Sequence, residues 1–263
     1  MSLPRPDLRS HARVTLGPGQ DITVEPSWKE KARLAARLTI DATGAQSLGG
    51  HLEIRSDVAV GQGLGSSTSD VVAAIRATLA ALQTGLQPVH IARLAVAAEQ
   101  ASDAVMFNHR CVLLEHRDGI VLEDFRRALP AMTVVGFPTR GPEHVVLTLD
   151  LPLPSYVDAE IERFDNLRQK LREGITRGSL ARIGEVTTES ARINQRFLPI
   201  EDLDLFLAIA AESGAHGLQV AHSGTVAGLL FAPADGPGPV ERARQLLGEA
   251  GVPRTYQFRL AAR

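Results

Sequence analysis

Ser56-Asp57-Val58-Ala59-Val60-Gly61-Gln62-Gly63-Leu64-Gly65-Ser66-Ser67-Thr68-Ser69-Asp70 runs straight into the apolar-periodic segment Val71 to Leu82. Three glycines at alternate positions leave the backbone free to take positive φ and to approach a ligand closely, and the hydroxyl run behind them has the character of a helix N-cap. Val71, Val72, Ile75, Leu79 and Leu82 recur at helical spacing, and Asp70 stands three residues after Ser67 as the acidic member of a capping-box variant. The spacing predicts a helix that begins at about Ser66 or Ser67, with its first free N–H groups turned into the glycine loop. Orphan donors at the positive end of a helix dipole favour a phosphate. The competing reading of the same residues is an ordinary glycine-rich turn capped by serine.

The loop lacks the lysine of G-x-x-x-x-G-K-[ST], and Gly61, Gly63 and Gly65 do not satisfy G-x-G-x-x-G with an acidic residue at the right distance, so neither a P-loop NTPase nor a Rossmann domain fits. The run does resemble the second signature of the GHMP kinases, P-x-x-x-G-L-G-S-S-[AS]. Val58 replaces the proline, and Gly63-Leu64-Gly65-Ser66-Ser67 matches outright. Within that family it is most similar to the L-threonine kinase branch of cobalamin biosynthesis, through Ser56-Asp57 before the loop and Ser66-Ser67-Thr68 at its end.

Composition bounds the rest. A chain of 263 residues with net charge −2 holds one large core or two modest ones and carries no nucleic-acid footprint. Its single cysteine, Cys111, lies among apolar neighbours and excludes both an internal disulfide and a cysteine zinc cluster, which fits a reducing cytoplasm. No apolar run reaches the length of a membrane span, so a membrane is not among the expected partners. Lysines and arginines between Arg163 and Arg177 alternate with acids and read as a solvated helix face.

Ahead of the loop, His11 to Leu16 and Ile22 to Val24 read as strands. Ser27 reads as the cap of a helix from Trp28 to about Asp41, and Leu52 to Arg55 as the strand that feeds the loop. Beyond α-helical Ser67 to Leu82, a further helix is expected from Pro88 to about Ser102, carrying Glu99 and, four residues on, Asp103. If that helix persists, both carboxylates share one face, the pairing a magnesium-dependent phosphoryl transfer needs; the alternative is a solvated acidic surface. Cys111 to Leu114 and Gly119 to Leu122 form a hairpin pattern around Glu115-His116-Arg117-Asp118, and His109 and His116 read as structural or surface histidines.

A boundary near Arg127 to Pro130 precedes strands at Met132 to Pro138 and Val145 to Leu149 and helices at about Asp158 to Arg172 and Leu180 to Gln195. A helix at Leu203 to Ala211 follows, then a strand at Gly217 to Ala221. His222-Ser223-Gly224-Thr225 interrupts it before Leu229 to Phe231, and a helix at Val240 to Ala250 and a strand at Thr255 to Leu260 close the chain. The polar turn is either a plain hairpin or, by its similarity to the third GHMP signature, a loop against the phosphate and acceptor.

The resemblance implies an α+β, two-domain GHMP-kinase-like fold. Residues 1–128 would form a nucleotide-binding half, like the second domain of a small-subunit ribosomal protein, and residues 129–263 a ferredoxin-like half. It implies ATP and Mg²⁺ with a small hydroxyl acceptor, and the branch it resembles implies L-threonine or a similar hydroxy amino acid. Gly61, Gly63, Leu64, Gly65, Ser66, Ser67 and Thr68 would hold the phosphates, Ser67 and Glu99 the metal, and Asp103 would face the acceptor as its base. His222, Ser223, Gly224 and Thr225 would close the site, and Thr188, Ser190, Asn194 and Gln195 resemble a substrate-facing stretch of the branch. In that branch the two acids are expected three apart rather than four. The family's first signature, P-x-S-C-G-E, has no counterpart here, so an early strand of the N-terminal sheet is expected to be missing. The backbone edge this exposes would favour a homodimer.

Overall fold

The computed structural model describes residues 1–108, 110–141 and 155–261; His109 and the strand expected at Val145 to Leu149 lie outside the described residues. The N-terminal part holds a three-stranded sheet of order β1-β3-β2, formed by Ser10–Pro18, Ile22–Glu25 and Leu48–Ser56. β1 runs antiparallel to β3 and β2 parallel to it. Two helices cover this sheet, α1 (Glu30–Ala42) and α2 (Ser66–Ala81), and α3 (Pro88–Glu99) packs on them. Leu52 and Ile54 of β3 meet Ala36 and Ile40 of α1 and Ala74 of α2 in one buried cluster. On the far side of α2, Val71, Ile75 and Leu79 pack against Ile91, Ala92 and Ala95 of α3. Each fully buried Val, Leu or Ile side chain here stabilises the fold by about 1.5–3 kcal/mol, which pins α2 between its neighbours and fixes where its N-terminus points.

Two expectations fail at helix starts and ends. α1 begins at Glu30 rather than Trp28, and Ser27 does not cap it. α3 stops at Glu99 because Gln100 takes the left-handed conformation (φ 72°) and returns its N–H to Val96 O at 2.7 Å. Asp103 is therefore on the following loop, and no helix face carries it together with Glu99.

β4 (Val112–Glu115) and β5 (Ile120–Asp124) form the expected hairpin. Its Glu123 binds Arg172 (2.6 Å) and Arg168 (2.8 Å) of α4 (Asp158–Arg177) and is held below the usual carboxylate range by the Arg172 hydrogen bond first. Those arginines, read as part of a solvated face, thus tie the hairpin to the second half of the molecule.

That half is an antiparallel four-stranded sheet of order β7-β8-β6-β9, from Gly217–Val220, Val226–Phe231, Met132–Pro138 and Tyr256–Leu260. α4, α5 (Leu180–Asn194) and α6 (Leu203–Ser213) lie between β6 and β7 in the chain, and α7 (Gly238–Glu249) between β8 and β9. This is the β-α-β-β-α-β order of a ferredoxin-like unit. Phe137, Leu229 and Phe231 are fully buried beneath α6 and α7. Gly184 of α5 sits so close to the His216 carbonyl that any side chain would collide with it, and Thr188 Oγ1 accepts the Leu218 N–H at 3.0 Å. α5 is thereby seated on β7 with Thr187 and Ser190 turned toward the glycine loop's side of the molecule.

Candidate active site

The loop leaving β3 turns on Gly61, Gly63 and Gly65, whose φ angles are +76°, +68° and +72°. L-residues reach this region only with strain, so the glycines are required by the loop's path. Gly65, not a serine, occupies the N-cap of α2, and no side chain caps the helix. The first intrahelical bond runs from Ser69 N–H to Gly65 O (3.0 Å), so the N–H groups of Ser66, Ser67 and Thr68 have no acceptor within the helix. The hydroxyl run supplies the first turn rather than the cap. Its amides and the dipole end face a cleft of about 860 Å³ lined by Gly61, Gly63 to Thr68, Glu99 and Asp103.

Asp70 does not form a capping box. Its side chain is buried and turned away from the loop, accepting from Ser10 Oγ (2.8 Å) and from Lys29 Nζ. Ser10 Oγ also meets Ser56 Oγ at 2.9 Å, and Ser56 Oγ accepts Val58 N–H at 3.3 Å. One buried polar network therefore joins β1, the end of β3, the start of α1 and the first turn of α2. Removing either member of its ion pair would leave the other charge buried and uncompensated.

Glu99, at the last turn of α3, is 3% exposed. Its Oε1 and Ser67 Oγ are both buried, and neither has a hydrogen-bond partner among the described residues. Burial pushes the Glu99 carboxyl above its usual range; the nearby Ser67, Thr68 and Ser102 hydroxyls and the Lys31 charge pull against that shift. Two adjacent, unsatisfied, hard oxygen ligands fit a magnesium ion, which binds through one or two protein oxygens and completes its shell with water and phosphate. No cluster of three or more His, Cys, Asp or Glu side chains in metal-binding geometry occurs among the described residues.

Asp103 lies beside the glycine loop. Its Oδ2 is 3.6 Å from where a Cβ on Gly65 would sit, and its Oδ1 accepts Ser2 Oγ–H at 2.8 Å. The turn between β7 and β8 meets the loop directly, since a side chain on Gly63 would collide with Ser223 Oγ and Thr225 Oγ1. Of that turn, His222 and Ser223 line the cleft. Thr225 Oγ1 pairs with Ser223 Oγ (2.8 Å), and the Gly224 carbonyl accepts from Thr139 Oγ1, so Gly224 and Thr225 shape the turn rather than face the cleft. Arg254 on the C-terminal side donates to Gln62 Oε1 at 2.9 Å, a second tie between the loop and the far half.

Of the four polar residues expected on α5, only Ser190 lines the cleft. Thr188 holds β7, and Gln195 exchanges two bonds with the Ile200 backbone (2.9 and 2.6 Å). His116, read as a structural or surface histidine, lines the cleft and meets His222 edge to face with ring centroids 4.9 Å apart. Lys31, whose charge bears on Glu99, also lines the cleft and was not legible as a site residue. Nothing in the local pattern of a helix start or a hairpin turn distinguishes either residue from a surface one; only the packing of α1 and of the hairpin brings them in.

Comparison with known proteins supplies the context. Residues 29–109 match the family model "GHMP kinases N terminal domain". The chain is 29% identical over 183 residues to an L-threonine kinase of Citrobacter freundii, a match covering 68% of this chain and 62% of that protein. It is 28% identical over 184 residues to an L-threonine kinase of Salmonella typhimurium, covering 68% and 59%. The matched span is thus about three fifths of the length of these curated relatives. Among solved structures, a Cytophaga hutchinsonii homoserine kinase superposes with TM-score 0.69 at 16% identity over 95% of this chain and 84% of that one. A Lactococcus lactis galactokinase complexed with galactose gives 0.70 at 13% identity over 97% and 86%. The fold is that of the GHMP kinases.

Proposed function

We propose, on the premise that residues 29–109 form a GHMP kinase N-terminal domain within a GHMP kinase fold, that this chain transfers the γ-phosphoryl group of ATP to the hydroxyl of L-threonine or a similar hydroxy amino acid. The observation that carries the reading is the convergence on one cleft of the free amides of Ser66 to Thr68, the unsatisfied Ser67–Glu99 oxygen pair and the Asp103 carboxylate. The amide cradle would hold the phosphates, and Lys31 adds a positive charge at that end. Ser67 Oγ and Glu99 would hold Mg²⁺, which when bound neutralises charge between the phosphate oxygens.

Asp103 would orient the acceptor hydroxyl and take its proton as the oxygen attacks the γ-phosphorus. The new P–O bond forms as the bond to the bridging oxygen of ADP breaks. Most of the acceleration in such a transfer comes from positioning and charge neutralisation, which suits a cleft whose walls are fixed by the Lys29–Asp70 network and the Gly63–Ser223 contact. The 29% and 28% identities to L-threonine kinases support threonine as the first acceptor to try; a role in cobalamin assembly in a reducing cytoplasm is proposed from the resemblance of the glycine loop and the single cysteine alone.

The test is a coupled ADP-release assay over a panel of small hydroxy amino acids, with nucleotide binding followed by calorimetry. Threonine-dependent ADP release, lost in Asp103→Asn, is the expected outcome. Nucleotide binding with no transfer to any acceptor would make the chain a nucleotide-binding homologue, and no binding at all would end the reading.

A further inference from the structure

The cleft has charged side chains that the proposed phosphate and metal contacts do not use. Of the lysines and arginines lining it among the described residues, Arg5 is neutralised by Asp7 (3.0 Å) and stacks on Tyr256, and Arg168 is neutralised by Glu123 (2.8 Å). Lys31 and Arg117 have no carboxylate partner among the described residues, and they lie at different places. Lys31 bears on Glu99, beside the amide cradle. Arg117 is on the β4–β5 turn, next to His116.

That turn is anchored beside Asp103. The His116 carbonyl accepts the Ser102 N–H at 2.8 Å, so Arg117 follows a residue bonded to the backbone immediately before the acceptor-facing acid. His116 in turn meets His222, the first residue of the loop packed on Gly63. Arg117, His116 and Asp103 all act on the His222 imidazole, whose charged form is disfavoured by the protein around it and by His116. Two imidazoles and one guanidinium that has no carboxylate partner among the described residues therefore stand together on the cleft wall next to Asp103, whose Oδ1 accepts from Ser2.

We infer that Arg117, with His116 and His222, forms an anion subsite that holds a carboxylate on the acceptor while Asp103 faces its hydroxyl. The inference rests on the kinase reading and narrows it: the acceptor is a hydroxy acid whose carboxylate and hydroxyl are both held at this end of the cleft. A guanidinium suits a carboxylate because its planar donors match the two oxygens. Arg117 is thus a specificity-determining residue, and it is separate from the groups that hold the nucleotide.

The experiment compares L-threonine with L-threoninamide, which keeps the hydroxyl and amino group but loses the carboxylate, in the wild type and in Arg117→Met and Arg117→Lys. The wild type is expected to prefer the acid. Arg117→Met is expected to raise the KM for L-threonine by about 10- to 100-fold, the loss of a charge-assisted contact, with Arg117→Lys partly restoring it. The KM for ATP, the melting temperature and turnover of the amide should stay near those of the wild type. Equal use of acid and amide by the wild type overturns the subsite and leaves the kinase reading standing. A raised KM for ATP, or a fall in turnover for both acceptors alike, assigns Arg117 to the phosphates and also overturns it. Failure of every hydroxy acceptor to be phosphorylated ends the kinase reading itself.

Discussion

At one end of the cleft, the polar groups come from a single continuous stretch, Gly61 to Thr68, completed by Glu99 two helices later. At the other, Asp103, His116, Arg117, Ser190 and His222 arrive from a loop, a hairpin turn, a helix and an inter-strand turn. The first end is a helix terminus with its amides and oxygens left over; the second is a junction between two halves of the molecule. A helix end binds what its dipole and orphan donors favour, whatever surrounds it, whereas a junction binds only what tertiary packing happens to assemble. The proposed division of labour follows, with nucleotide and metal at the self-contained end and acceptor at the assembled one.

The largest effect that could break this division is at Asp103. Asp103→Asn keeps the side chain's size and should lower kcat by about 10²- to 10⁴-fold, the usual worth of a positioned base, with ATP affinity by calorimetry unchanged. A drop in ATP affinity of similar size would show that the two ends are one site in energetic terms.

How much of each end can be read from the chain alone differs for the same reason. The glycine loop, the start of α2 and the candidate metal oxygens Ser67 and Glu99 follow from local spacing and from resemblance, and the structure brings them together. The details that failed there were tertiary overrides of local chemistry. Ser67 and Asp70 have capping-box spacing, yet Asp70 is drawn into the buried network with Lys29 and Ser10, and Gly65 serves as the N-cap instead. Gln100 in the left-handed conformation ended α3 where an amphipathic pattern ran on, and so separated Glu99 from Asp103. The assembled end was legible only as scattered pieces. A His-Arg pair in a hairpin turn looks like surface until the hairpin is packed, by the Glu123 to Arg168 and Arg172 bonds, against the second half.

The seam between the ends is Gly63, and Gly63→Ala tests whether they must be held together. The new methyl would demand a positive φ and would strike Ser223 and Thr225, costing about 2–4 kcal/mol in combined strain and overpacking. The expected result is a lower melting temperature and weaker use of both ATP and acceptor. Gly17→Ala, where nothing lies within 4 Å, is the control and should change little. Loss of ATP binding alone, with acceptor KM untouched, would show that the second half does not depend on this contact.

Ser67→Ala sharpens the self-contained end. Removing one of two unsatisfied oxygens should weaken ATP binding by about 10- to 100-fold in the presence of Mg²⁺ and far less in its absence, as read by calorimetry with and without chelator. An equal loss in both conditions would assign Ser67 to the phosphates directly and leave Glu99 without a metal partner.

The smallest effect is the most particular, because its sign follows from where Glu99 is buried. A carboxyl whose folded pKa is raised favours its protonated form in the folded state. Its contribution to stability is complete below the unfolded value, about pH 4, and is lost as pH rises through the folded one. At pH 7.5 keeping a carboxyl buried at this position is therefore a cost to the free protein, and Glu99→Gln should melt higher than the parent. The gap should close toward pH 4. Adding Mg²⁺ and ATP should reverse the order, since the ion rewards the carboxylate and has no anionic protein ligand in the variant. If Glu99→Gln melted lower than the parent without ligand at pH 7.5, the buried oxygens would be satisfied from within the fold, and the self-contained end would owe its shape to packing rather than to a cation.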